Sequence, residues 1–319
     1  MIIIVGVKTL NKRVFSFISL FLMFTMLVLV SAGCGVRING KEYEFFSSRK
    51  NDKNNFNGLG EELTDALSIV QDNIDGEKLK LSISSGNIEI TKSGDGKIQL
   101  DAEVKVRGAS NDTKKIILDN LIVSLDQKGK TVEVVTKTKD GKDFWDWHKK
   151  NHKAYHITIN YNISLPENIK DVEVSTGAGN IYIDGISDKV KASTGAGNID
   201  FINLKAELSA STGAGNINVE DSSSLGESNL NTGAGNIYFM GSVDEMEKFK
   251  AATGMGNVDF LVPAHSKMTL DVDTGVGVLY GSFIENNSDN KTQFKGKVNG
   301  GGPSVKLSTG VGNITVDEN

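Results

Sequence analysis

If this chain performs chemistry, few of its residues are equipped for it. Three of its four histidines and both tryptophans lie close together, in Asp143-Phe144-Trp145-Asp146-Trp147-His148 and then at His152 and His156. On a helix, His148, His152 and His156 would share one face and could present imidazoles to Zn²⁺. However, Tyr155-His156 opens the alternating run Ile157-Thr158-Ile159-Asn160-Tyr161-Asn162-Ile163, so His156 belongs to a strand. No carboxylate stands as an obvious fourth ligand. The segment therefore reads as an aromatic loop between strands, without a metal. Trp145, Trp147 and His148 are its candidates for contact with a glycan, a lipid headgroup or a protein partner. A loop that merely packs onto the β body is the plainer alternative.

Acid–base chemistry on glycans would need carboxylates close together on one face. The column best placed to supply them is Tyr182, Asp200, Asn218, Tyr238, Asp259, Tyr280 and Thr315. Its two aspartates are three repeats apart, ~14 Å at the usual strand spacing. That exceeds the separation of catalytic carboxylate pairs. Gly-x-Ser-x-Gly and His-Glu-x-x-His are both absent. The expectation is a protein with no catalytic residues and no cofactor.

These columns exist because the chain repeats itself. From Asp171 onward, Thr-Gly-Ala-Gly-Asn-Ile or a close variant recurs at Thr176, Thr194, Thr212, Thr232, Thr253, Thr274 and Thr309, with spacings of 18, 18, 20, 21, 21 and 35 residues. A fixed period near 20 marks stacked structural repeats. Positions four and two before the threonine are mostly apolar, as in Val172 and Val174, and so is the position two after it, as in Ala178. Period-two alternation places them on one face of a strand with the threonine. Apolar columns resume five and seven after it, at Ile181 and Ile183 for example, after a parity slip at Gly-Asn. A bend or bulge there keeps the buried face buried, since Gly and Asn tolerate left-handed backbone. Each unit thus reads as strand, corner, strand and return: one rung of a parallel β-solenoid. The threonines stack into an inward ladder. Asn180, Asn198, Asn216, Asn236, Asn257 and Asn313 stack at the corner, each amide placed to donate to the next rung's carbonyl. The Gly-x-Gly pieces recur in every unit without a following helix, so they are no dinucleotide fingerprint.

The N-terminus reads as an address. Lys8, Lys12 and Arg13 precede the apolar run from Val14 to Val30, which ends Ser31-Ala32-Gly33-Cys34. A basic region, an apolar core and small residues make a secretory signal over 1–33. Cys34 is the single cysteine. It resembles the lipid-attachment cysteine of a bacterial lipobox, with Ser31 where leucine is usual; an uncleaved anchor is the alternative. Both put the rest outside the cytoplasmic membrane. The chain has net charge −5; without residues 1–33, which carry three positive and no negative charges, it is −8. No basic block suggests nucleic acid.

Residues 34–60 read as a polar tether, with a small hairpin on Asn39-Gly40. Residues 61–76 place Leu63, Ala66, Leu67, Val70 and Ile74 on one helical face, predicting an amphipathic helix that caps the first rung. Residues 77–170 form a β-rich entry half, in which Leu79-x-Leu81-x-Ile83 and Gly86-Asn87-Ile88 repeat the pattern in worn form. A short helix is expected over 113–120. Residues 171–319 carry the regular repeats.

With these columns laid out, residues 77–319 resemble the bacterial "putative adhesin" family of β-strand-repeat domains. The Ser/Thr-Gly-x-Gly-Asn-Ile units, the strand ends Leu165-Pro166 and Leu261-Val262-Pro263, and the closing Gly300-to-Val316 segment carry the resemblance. It implies no catalytic residues. LiaG-like members of that family are membrane-anchored and associated with envelope-stress systems, which implies a location at the cell membrane facing outward. The expected function is an adhesin-like binding or scaffold module at the envelope, contacting wall polymer or a membrane protein. The alternatives are an accessory regulator of a stress-sensing complex and, from a different class, a glycan-active enzyme.

Overall fold

The repeats pair with one another residue for residue. In the computed structural model, which describes residues 62–72, 74–94, 96–284 and 292–319 together with the strands Gly35–Ile38 and Lys41–Phe46, the described residues are all-β apart from two short helices. Residues 1–33, expected to be a secretory signal, and Cys34 lie outside the described residues. Each repeat supplies a first strand, such as Asp171–Ala178, and a second, such as Ile181–Asp184. First strands pair in parallel with first strands, setting Thr176 beside Thr194 and Thr194 beside Thr212. Second strands pair likewise, Ile181 with Ile199 and Ile199 with Ile217. The worn unit joins at the near end, Leu79 beside Val172 and Ile88 beside Ile181. Buried apolar columns from both strand sets make one core, in which Phe239 and Phe260 stack with centroids 5.1 Å apart.

The threonine ladder is inward as expected, and each hydroxyl has a specific acceptor. Thr194, Thr212 and Thr232 donate to the carbonyls of Gly179, Gly197 and Gly215 in the preceding repeat, at 2.9, 2.9 and 2.8 Å. The asparagine ladder also forms, but its polarity is the reverse of the expected one. The side-chain oxygen of Asn180 accepts from the backbone N–H of Asn198 at 2.8 Å, and Asn198 accepts from Asn216 at 2.9 Å. A second correction concerns the alanine column. The buried face ends at the threonine, and Ala178, Ala196 and Ala214 point outward. At the far end the same column exposes Met255, Val311 and Val276. The corner therefore begins directly after the threonine. It is tight enough that a Cβ on Gly215 would meet the Gly197 carbonyl oxygen at 2.0 Å, and Gly215 takes φ +147, a value side chains rarely allow. The left-handed backbone is glycine's alone; the corner asparagines have ordinary negative φ.

The sheet is mixed, not wholly parallel. Segment 61–76 is not a capping helix: Leu63–Gln71 is a strand, antiparallel to Ile98–Arg107 from Leu63 opposite Val106 to Gln71 opposite Ile98. Leu67 and Ile69 are buried while Val70 is exposed, a period of two where the helix reading needed Val70 inside. Its edge is paired by Lys41–Phe46, which forms the expected hairpin with Gly35–Ile38, so the tether region contributes strands. The expected helix appears as α1, Asn111–Asn120, capped by Ser110. At the far end the repeats are out of sequence order. Ser304–Val311 inserts between Met246–Met255 and Met268–Val276, aligning Thr253, Thr309 and Thr274 in that spatial order. Gln293–Val298 then runs antiparallel along Met268–Val276. The 35-residue spacing before Thr309 is this outward strand and its return.

Candidate functional site

The histidine–tryptophan segment packs onto the β body. It is a helix rather than a loop, α2 at Phe144–Asn151, and Asp143 caps it by accepting from the Asp146 N–H at 2.7 Å. Phe144 is fully buried, and Trp145 and Trp147 are half-buried against the core. Trp147 also lies 4.7 Å from the His152 ring. His148 Nε2 is engaged by the Tyr155 carbonyl oxygen at 2.8 Å. Burial, and then His148 nearby, hold His152 below the usual imidazole range. His156 starts the strand His156–Leu165 opposite Arg107, away from the helix face. Among the described residues no group of three or more metal-ligating side chains comes together. The aromatic rings serve packing.

A different surface does assemble. Across the second strands, the outward residue six after each threonine, joined at the near end by Glu89 of the worn unit, lines up by register: Glu89, Tyr182, Asp200, Asn218, Tyr238, Asp259, Thr315 and Tyr280. Because Thr315 precedes Tyr280 in space, tyrosine recurs at every third position, with an aspartate and then an amide or hydroxyl between. The sequence order hides this period. Half-buried Ile202, Met240 and Leu261 flank the row, with Asp184, Glu220 and Asp317 among them. Not one lysine or arginine stands in the second strands from Ile181 to Glu318. The first strands are the opposite, carrying Lys189, Lys191, Lys248, Lys250 and Lys306. Several lysines there pair across the ladder, as Lys189 does with Glu207 at 2.7 Å and Lys78 with Glu173 at 2.9 Å.

The electrostatics of the tyrosine row follow from its composition. Asn218 donates to Asp200 at 2.6 Å, yet burial dominates and lifts the Asp200 carboxyl above the usual range. Partial burial lifts Glu89 as well. Burial, then the charges of Asp184, Glu89 and Asp200, push Tyr182 upward; burial, then Glu220, Asp259 and Asp221, do the same for Tyr238. Both phenols therefore keep their protons and remain hydroxyl donors. Three register steps separate Asp200 from Asp259. No family model matches the sequence, and no curated protein does either. Among solved structures, a "putative cell adhesion protein" from Clostridium sporogenes aligns at 17% identity and TM-score 0.36, over 80% of this chain and 100% of its own. A "putative adhesin" from Bacteroides fragilis aligns at 16% identity and TM-score 0.36, over 80% of this chain and 97% of its own.

Cys34 lies outside the described residues, and the threonine and asparagine ladders are architectural. The tyrosine row was visible in the sequence as a column. Its spatial order, its flanking apolar residues and its freedom from positive charge were not.

Proposed function

We propose that this chain is a non-enzymatic binding module of the cell envelope, adhesin-like in role, with its repeats acting as a rigid β-solenoid-type body. In this reading Cys34 carries the lipid that holds it to the membrane, facing away from the cytoplasm, as in LiaG-like proteins. The supporting observation is the second-strand face: an in-register row of tyrosines and hydrogen-bonding side chains, with Asp200 and Asp259 three register steps apart. A stack of parallel strands presents such a row at little backbone cost, because the ladders already fix the spacing of its Cα positions. Wall polymer is the favoured partner, since a polymer can use a row that repeats.

The test is retention of the full chain, in detergent, on purified wall polymer and on solubilised membrane from the same cells. Retention on wall polymer, weakened by Tyr182→Ala with Tyr238→Ala, is the expected result. Recovery of one defined membrane protein with no wall retention would replace this reading by that of a regulator of a sensing complex. Release of new reducing ends from wall glycan would replace it by an enzyme.

A further inference from the structure

The second-strand face has a direction, a pitch and a charge, and together these restrict what it can hold. The row runs across the strands, so successive side chains stand one strand spacing apart, ~4.8 Å. Tyr182, Tyr238 and Tyr280 therefore recur at ~14 Å along a line, with Asp200 and Asn218 filling the first interval and Asp259 and Thr315 the second. A ligand using both intervals must be linear, and its own repeat must advance by about one strand spacing. Sugar rings in an extended β-linked chain advance by nearly that distance. The residue types suit such a chain: tyrosine faces pack against the C–H faces of sugar rings, while carboxylate, amide and hydroxyl groups meet their hydroxyls. The carboxylates Asp184, Asp200, Glu220, Asp221, Asp259 and Asp317, with no cation in these strands, repel a polyanion.

Resting on the binding reading above, we propose that this face takes a linear glycan of neutral or N-acetylated hexoses, laid along the stack with one sugar ring per repeat. Tyr182, Tyr238 and Tyr280 each support a ring at every third place. Asp200, Asn218, Asp259 and Thr315 hydrogen-bond the rings between them. Tyr238 is the pivot, because any occupant long enough to reach two tyrosines must cover it or end on it. Teichoic-type or uronate-rich polymers are excluded by charge.

The experiment is calorimetric titration of the full chain in detergent with chitohexaose, cellohexaose, the matching trisaccharides, polygalacturonate and oligolysine. Binding of one neutral hexasaccharide, with the trisaccharide weaker by on the order of tenfold or more, is expected from joining two subsites. Tyr238→Ala should weaken the hexasaccharide about two- to tenfold, and Tyr238→Phe should leave it nearly unchanged, because ring stacking survives in phenylalanine. Unchanged urea unfolding of both variants would show that folding is not the cause. Equal affinity for trisaccharide and hexasaccharide, or no effect of Tyr238→Ala, overturns the proposal. So does binding of polygalacturonate or oligolysine in place of the neutral chains. If no oligosaccharide binds while wall polymer still retains the chain, this inference fails and the binding reading stands. If wall polymer does not retain it either, the binding reading fails as well.

Discussion

Replacing Thr212 by valine keeps the shape of the side chain and removes one hydroxyl, which makes it a clean probe of the repeat. The threonine is buried, 3% exposed, and donates to the Gly197 carbonyl oxygen at 2.9 Å. Valine would set a methyl group against that carbonyl, which sits at a corner too tight for side chains. Losing such a bond costs ~1 kcal/mol, rising to ~3 kcal/mol if the carbonyl stays shielded from water. Thr212→Ser keeps the donor and loses one buried methyl, worth about 0.8 kcal/mol. Urea unfolding of the full chain by circular dichroism, with unchanged denaturant slope, measures both. The expected order is wild type, then Ser, then Val. Combining Thr194→Val, Thr212→Val and Thr232→Val should lose roughly the sum, since each hydroxyl addresses a different carbonyl. If valine equals or exceeds wild type, the threonine column is only filled volume and the hydrogen-bond argument is wrong.

Three further outcomes follow from the same geometry. Asn216→Asp should retain most of the wild-type stability and Asn216→Ala should lose ~0.5–1.5 kcal/mol, because the Asn216 side chain accepts from the Asn236 N–H at 2.8 Å; the opposite ranking in urea melts would mean the amide acts by donating. Gly215→Ala should be more damaging than either, beyond the ~1–3 kcal/mol of a strained backbone, since φ is +147 and the added Cβ would lie 2.0 Å from the Gly197 oxygen; thermal melts would detect it as a large loss of folded protein. Asp200→Asn should stabilise the protein at neutral pH. The Asp200 carboxyl is raised in the folded state by burial, so the native form holds its proton more tightly than the unfolded one, and wild-type stability falls as pH rises through that interval. The gain should shrink as the pH drops below the ordinary aspartate range, and a pH-independent difference would refute the account.

The parts legible in the sequence were those in which each residue's own chemistry repeats. The threonine and asparagine ladders, the glycine corner and the apolar columns could be read because every repeat makes the same demand, and the strand His156–Leu165 because it alternates strictly. The alanine column misled, since alanine suits a buried strand and an exposed corner equally; only burial shows that the buried face stops at threonine. Leu63–Gln71 misled for a related reason. Its apolar residues satisfy a helical stripe on paper, but the nine-residue antiparallel ladder with Ile98–Arg107 meets its backbone hydrogen bonds and buries Leu67 and Ile69.

The candidate site divides in the same way. Sequence by itself named seven of the residues that share its row, from Tyr182 to Thr315, and left out Glu89 of the worn unit. It could not order the row, because Thr274 and Thr309 head units with equivalent columns, and either would pair equally well beside Thr253. The connections decide. The earlier repeats are joined by two or so residues, Gly185-Ile186 between Asp184 and Ser187 for example, which forces neighbours in sequence to be neighbours in space. Pro263 to Lys267 is longer, and Asn299 ties it down by donating to the Ala264 and Ser266 carbonyls at 2.8 and 2.9 Å. That slack lets Met268–Val276 skip one place, which the returning Ser304–Val311 then fills. Tertiary structure alone thus set Tyr280 at the end of the row and gave the tyrosines their even spacing.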